Sequence, residues 1–314
     1  MRLVEANEAQ KRARDPLTHP EWGEKLTIDQ YVEREARLRR HPWSARGMNT
    51  WLWMGEEETV LASCETYRMR SRVRGGGDGV TFGVASVFTE PALRGRGYCT
   101  QMMQALVAKL RLEPEAQASI LFSDVGAPLY ARAGYVARPG VDRVFEPLEG
   151  DPGEGVDALF SEGELARELG RLSPPDDPFV VWPSPEQLDW HLERARIYSE
   201  MLGVPRPTVA GARAGSATAF WAAVLKDRLL MVVLLAASST DEAVALIRAA
   251  RRVAKGTGLE QVRMWEGTFP FSWPTPPEEG GRISERKRQL AMIAPLRPGV
   301  EPDGWRCIPR ALWI

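Results

Sequence analysis

Residues 94–97 read Arg-Gly-Arg-Gly and stand where an apolar stretch gives way to a helical pattern. A helix start leaves N–H groups without partners and carries partial positive charge, so it draws anions. Glycine there lets a phosphate approach the backbone with no Cβ in the way. Gly95 and Gly97 meet that need, and Arg94 and Arg96 add charge-assisted donors. A single helix start suits a compact pyrophosphate. The same four residues also read as a solvated basic turn, because short glycine motifs recur without function. Two other phosphate motifs are excluded. No Lys-Ser or Lys-Thr follows the glycines as a Walker loop requires, and their spacing is not that of a dinucleotide fingerprint. Other chemistry-bearing types are sparse. The three histidines (His19, His41, His191) and three separated cysteines (Cys64, Cys99, Cys307) show no ligand spacing, so neither a metal site nor a disulfide framework is expected. Free thiols fit a reducing cytoplasm.

The elements that must position the turn follow from periodicity. Residues 80–89 are apolar on both faces, as in a central strand. Pro91 and the glycines stop it, and Thr100 is the expected cap of a helix whose apolar face holds Met102, Leu106 and Leu110. Upstream, Thr27 and Gln30 make a capping box for a charge-rich helix that ends at His41-Pro42. Two strands at 51–54 and 60–69 follow, and 70–78, with three consecutive glycines, reads as a loop. Downstream come a strand at 119–123, a short helix at 127–133, and closing strands at 135–136 and 142–147.

The Gly- and Pro-rich stretch 150–155 is the best linker, dividing the chain into residues 1–149 and 150–314. Beyond it the pattern predicts helices at 162–171 and 185–201, a hairpin at 216–224 and 228–236, and a helix at 240–255. Strands are expected at 259–266, 290–296 and 306–314. This order echoes the first half, so the fold class is mixed α/β (α+β) with a degenerate second copy. At the matching second-half junction, residues 236–241 hold neither arginine nor glycine, and Asp241 would repel phosphate. The formal net charge of −1 gives no electrostatic footprint for nucleic acid or an anionic membrane. The apolar run 229–237 is too short to span a bilayer.

The stretch from Phe88 through Pro91 to Cys99 resembles the signature of the GNAT superfamily of acyl-CoA-dependent N-acyltransferases: a strand, a proline, then Arg/Gln-x-x-Gly-x-Gly/Ala opening a helix. Cys99 stands where that signature has Gly or Ala. A second block, Ser123-Asp124-Val125-Gly126 through Leu129-Tyr130 to Gly134-Tyr135, resembles the family's downstream Asn, Leu-Tyr and Gly-Phe stretch, with Ser123 at the Asn position. Segments around Cys64-Glu65-Thr66-Tyr67 and residues 306–313 are similar to fungal lysine N-acetyltransferases of the lysine-catabolic type and their bacterial relatives.

The resemblance implies acetyl-CoA as co-substrate and a small-molecule primary amine, L-lysine first, as acceptor. A peptide or protein N-terminus, an antibiotic amine, and a non-catalytic CoA-binding sensor are the alternatives. It also implies that Phe88 and Thr89 pair with the pantetheine through their backbone, and that the backbone from Arg96 to Tyr98, Cys99 and Thr100 binds pyrophosphate. Tyr130 would protonate the leaving thiolate, a phenol of pKa about 10 facing a thiol of about 8.5. A lysine amine of pKa about 10.4 must lose a proton before attack, and Glu65 and Asp124 are the candidate bases. Glu65 reads equally as a residue of a half-exposed strand, and Asp124 as a helix cap. The aromatic stretch 265–274, with Glu266, reads as an acceptor wall or as a packed, proline-stiffened loop. His191 reads as a hydrogen-bonded structural histidine, and the basic run 284–288 as a solvated turn.

Overall fold

The computed structural model describes residues 1–150, 155–265 and 277–314. The chain opens with β1 (Arg2–Glu5), and Asn7 then caps α1 (Glu8–Trp22) in a reciprocal box with Gln10. Sequence periodicity missed both elements. Pro16 and Pro20 lie inside α1 and disguise it, yet their spacing of four keeps the two lost hydrogen bonds on one face. Thr27 and Gln30 form the expected capping box at α2 (Ile28–Arg40), and α3 (Pro42–Gly47) follows.

Three antiparallel strands come next: β2 (Met48–Met54), β3 (Val60–Val73) and β4 (Gly77–Phe88). The loop expected at 70–78 shrinks to a tight turn, because β3 and β4 pair through Val73 and Gly77. Helix α4 (Tyr98–Leu110) crosses to β5 (Ala116–Ser123), parallel to β4, and buries Met102, Met103, Leu106, Val107 and Leu110. Each such burial stabilises by roughly 1.5–3 kcal/mol. The start of α4 corrects the expected cap. Gly97, in the left-handed region, is the N-cap, and Thr100 lies inside the first turn. Short α5 (Ala127–Ala131), β6 (Val136–Ala137) and β7 (Val141–Phe145) complete this half.

The second half runs β8 (Val156–Leu159), α6 (Glu162–Arg171), β9 (Phe179–Val181), α7 (Pro185–Leu202), β10 (Gly211–Ala214), β11 (Ala217–Val224) and β12 (Leu229–Ala236). It ends with α8 (Thr240–Gly256), β13 (Gln261–Trp265), α9 (Pro277–Gly280), β14 (Arg282–Glu285) and β15 (Leu290–Pro295). Ser239, one residue before Thr240, caps α8. Residues 306–314, expected as a strand, form instead a short 3-10 turn at Arg310–Leu312 with extended flanks. Most of the linker core (151–154) and of the aromatic stretch (266–276) falls outside the described residues.

The two sheets exchange strands. The first runs β1-β2-β3-β4-β5-β15-β6, with β9 added beside the far end of β3, and the second runs β14-β7-β13-β12-β11-β10-β8. Strand β7, expected to close the first sheet, lies in the second between β13 and β14, antiparallel to both. Reciprocally, β15 lies between β5 and β6, again antiparallel to both. The architectures match position for position: β4 and β5 are parallel around α4, β12 and β13 are parallel around α8, and each sheet borrows its next strand from the other half. Met292 and Ala294 of β15 pack in the same core as Met102 and Leu106 of α4. The donor half therefore completes its core only with residues from the far end of the chain.

Candidate active site

Strand β4 carries the site because it outruns its partner. Its parallel pairing with β5 ends at Val84 and Leu121, while β4 continues to Phe88. On the other side a bulge falls between the pairs Glu65–Ala85 and Ser63–Phe88, and Ser86 takes φ of +51°. The two strands splay, and a cavity of about 560 Å³ opens between their ends. Thr89 Oγ1 is buried there without a hydrogen-bond partner, as an orphaned donor facing a ligand site would be.

One wall of this cavity is the glycine turn. Gly95 (φ +78°) and Gly97 (φ +81°) adopt left-handed backbone, and a Cβ added at Gly97 would meet only the Gln101 side chain at 3.9 Å. The requirement at Gly97 is conformational, not steric. The first α4 hydrogen bond runs from Gln101 N to Gly97 O at 3.1 Å, which leaves the N–H groups of Tyr98, Cys99 and Thr100 without intrahelical partners. All three residues line the cavity, as do Gly95 and Gly97. These donors and the orphaned hydroxyl fit a pyrophosphate and its amide-bearing arm. The arginines are placed differently. Arg94 lines the cavity but donates from Nε to the Thr89 carbonyl at 3.0 Å and pairs with Glu21 of α1, whereas Arg96 is exposed and outside the lining. Gly97→Val forces a β-branched residue into left-handed backbone at a cost of about 1–2 kcal/mol. We expect CoA to bind roughly tenfold more weakly to this variant by titration calorimetry. Unchanged affinity would remove the turn from the binding site.

Opposite the turn, Ser123 Oγ accepts the N–H groups of Val125 and Gly126, both at 3.1 Å, and bends the chain from β5 into α5. That bend brings buried Tyr130 into the cavity, edge-on to Tyr135 at 6.1 Å. Burial raises the pKa of the Tyr130 phenol, with neighbouring Cys99 adding to the rise and the Ser123 hydroxyl opposing it. Tyr130 thus keeps its proton at physiological pH. Burial also pushes the Cys99 thiol up to about 11, so it stays protonated and is no ready nucleophile. Exposed Asp124 lines the cavity and does not cap α5. Its Oδ1 accepts the Gln289 N–H from the second half at 3.2 Å.

Glu65 lies across the sheet in a second cavity of about 100 Å³, which shares Trp22, Ser86, Trp313 and Ile314 with the first. The reading of Glu65 as half-exposed does not hold, because it is buried. Arg14 of α1 pairs with it at 2.8 Å, donates to Ser63 Oγ at 2.8 Å, and donates to the Ser86 carbonyl at 2.6 Å, which pins the bulge. Burial raises the Glu65 pKa while the Arg14 charge pulls against it. Phe88 and Thr89 line the first cavity and not the second. Sequence reasoning missed Arg14, Trp22, Glu35, Trp190, Arg194 and Trp313. The Asn7-to-Gln10 capping box was the one local signal that could have revealed α1 and its residues. His191 donates from Nε2 to the Ala311 carbonyl at 2.9 Å, and burial lowers its pKa to about 3, so it is a neutral structural histidine. Among the described residues no three His, Cys, Asp or Glu side chains gather as a metal site, and no helix is long and apolar enough to cross a membrane.

Two family descriptions match this chain: "Acetyltransferase (GNAT) domain" over residues 26–137, and "LYC1 GNAT-like C-terminal domain" over residues 162–293. The chain belongs to the GNAT acetyltransferases. A lysine acetyltransferase of Yarrowia lipolytica is 24% identical to this acetyltransferase over 315 residues, covering 80% of each chain. Among solved structures, a probable N-acyltransferase of Enterococcus faecalis superposes with TM-score 0.61 at 14% identity, covering 93% of this chain and 72% of that one. A putative acetyltransferase of Pyrococcus horikoshii gives TM-score 0.56 at 10% identity, covering 99% and 95%. At these identities the structures speak for the fold, which includes both halves. The acetyltransferase uses an acyl-CoA co-substrate.

The second half of this GNAT enzyme keeps the strand-to-helix junction but fills it. Glu242, in the first turn of α8, accepts from the N–H and hydroxyl of Ser216 and from the hydroxyls of Ser238 and Ser239. These donors, led by Ser238, lower its pKa to about 2. A carboxylate thus sits among the serines of this junction, where the first half has its glycine turn.

Proposed function

We propose that the enzyme transfers the acetyl group of acetyl-CoA to the side-chain amine of free L-lysine. The observation that carries this reading is the small second cavity, which adjoins the donor cavity through Ser86 and is roofed by Trp190 and Trp313 from the second half. A volume of about 100 Å³ with the buried Glu65 carboxylate and aromatic walls suits a small amine better than a folded protein. The lysine acetyltransferase among the relatives supports the same acceptor. Residues 1–149 would carry the donor chemistry, with residues 150–314 completing the acceptor pocket, in a reducing compartment such as the cytoplasm.

In this mechanism the neutral amine enters at the Ser86 side and attacks the thioester carbonyl carbon. A backbone N–H of the unpaired end of β4 donates to the oxygen as it gains charge. A C–N bond forms, the C–S bond breaks, and the electron pair leaves on sulfur. Tyr130 gives its proton to the thiolate. Glu65, on the acceptor side, takes the amine's surplus proton directly or through water, and Asp124 is the second candidate at the donor mouth. Phe88, Thr89 and Ser123 hold the pantetheine arm, while Gly95, Gly97, Tyr98, Cys99 and Thr100 supply backbone to the pyrophosphate, with Arg94 and Arg96 as flanking charge. A thiol-release assay with acetyl-CoA and a panel of amines is expected to show turnover with lysine. Turnover confined to peptides or antibiotic amines, or CoA binding with no acyl transfer, would overturn the lysine reading.

A further inference from the structure

The acceptor cavity holds more positive than negative charge once its ion pairs are counted. Arg34 is spent on Glu35 and also donates to the Tyr198 hydroxyl at 2.5 Å and the Trp22 carbonyl at 3.0 Å. Arg39 grips Asp15 with two hydrogen bonds, at 2.8 and 2.5 Å, and Arg14 holds Glu65. Each of those cations is matched by one carboxylate. Arg194 of α7 also lines the cavity, yet among the described residues no carboxylate lies within ion-pair distance of it. Its neighbours are the Tyr198 phenol and the Trp313 ring, 4.7 Å from its guanidinium carbon.

Trp313 also carries Arg310, whose guanidinium carbon stands 3.8 Å from the ring centroid. Arg310 is 5% exposed, and its Nε is buried without a hydrogen-bond partner. Two guanidinium groups thus share one tryptophan with no anion between them. Burial, followed by the charge of Arg34, lowers the Arg194 pKa, as expected of a cation lacking its counter-ion. An unpaired buried charge is costly, and a ligand that supplies the missing anion recovers that cost on binding.

We infer that Arg194 is the specificity-determining residue that selects an acceptor bearing a carboxylate. The inference rests on the amine-acetylation reading above and extends it to the other end of the substrate. Ser86 and Trp313 lie on the wall shared with the donor cavity, whereas Arg194 lines the acceptor cavity and a small neighbouring one but not the donor cavity. An α-amino acid with a terminal side-chain amine spans that arrangement, its amine toward Ser86 and its carboxylate on Arg194. A guanidinium takes a carboxylate with two parallel hydrogen bonds, which an amine or amide in the same place cannot reproduce.

The test compares L-lysine with 1,5-diaminopentane, which is lysine without its carboxylate, in the full-length enzyme. Wild type is expected to favour lysine in kcat/KM by about 100-fold. In Arg194→Gln the lysine value falls by roughly that factor, mainly through KM, while the diamine value holds and the preference collapses. Arg194→Lys restores part of it. CoA affinity measured on the same preparations reports that each variant is folded. A variant that folds, binds CoA and still prefers lysine as strongly as wild type overturns the role of Arg194. Equal use of both amines by wild type overturns carboxylate selection altogether, whereas turnover of neither amine points to failure of the underlying lysine reading.

Discussion

Tyr130→Phe lowers kcat by roughly 10²–10³-fold, the range of a lost general acid, while the dissociation constant for CoA stays within about twofold. The expectation follows from where the phenol sits. Its ring is buried against Tyr135 and remains in place after substitution, so the cavity keeps its shape and only the hydroxyl is lost. Burial raises its pKa, and the sign of that shift matters. A raised phenol pKa keeps the proton on oxygen throughout the working range, so the group is always in the donating form. The wild-type kcat profile should therefore show no basic limb attributable to a tyrosine below pH 10. Its acidic limb should report the deprotonation of amine and base. Single-turnover kinetics with saturating acetyl-CoA separate this chemical effect from product release. Full activity in the phenylalanine variant across the pH range would remove the general-acid role.

The second large effect concerns a residue remote from the reaction in sequence. Ile293 of β15 is fully buried and pairs with Ile120 on one side and Val136 on the other. Ile293→Asp places an unpaired carboxylate in that core at a cost of several kcal/mol, against a total stability of about 5–15 kcal/mol. We expect the melting temperature to fall by about 10 °C or more. CoA binding should be lost in the same transition in which the second half unfolds. The reason is the reciprocal exchange of β7 and β15, which gives neither sheet an independent core. Calorimetry checks it directly. Two separate transitions, with CoA binding retained by the first half after the second has melted, would contradict the expectation.

The strand-turn-helix that walls the larger cavity was legible in the sequence because its parts are local. A strand, a proline, two glycines and a capped helix lie within about twenty residues, and the left-handed backbone at Gly95 and Gly97 admits little but glycine. Tyr130 was singled out by the resemblance of residues 123–135 to a family block, and the turns at Ser123 and Gly134 on either side of α5 place it in the cavity wall. The acceptor site was illegible for the opposite reason. Its residues come from α1, α2, β3, β4, α7 and the segment around Trp313, and nothing in their spacing tells that they meet. Helix α1 was hidden by Pro16 and Pro20. Residues 306–314 look like a strand because they are apolar, yet Pro309 and the turn at Arg310–Leu312 break them. The exchange of β7 and β15 was also invisible, since an apolar strand records that it is buried but not which neighbour pairs with it.

Glu242 has a consequence for the whole molecule. Two copies of one architecture sit in the chain, but the second carries a carboxylate at its strand-to-helix junction where the first has glycines. At that junction a tethered carboxylate, kept ionised by its serine partners, repels a diffusing anion. One CoA per chain is the expected stoichiometry, which titration calorimetry reads directly.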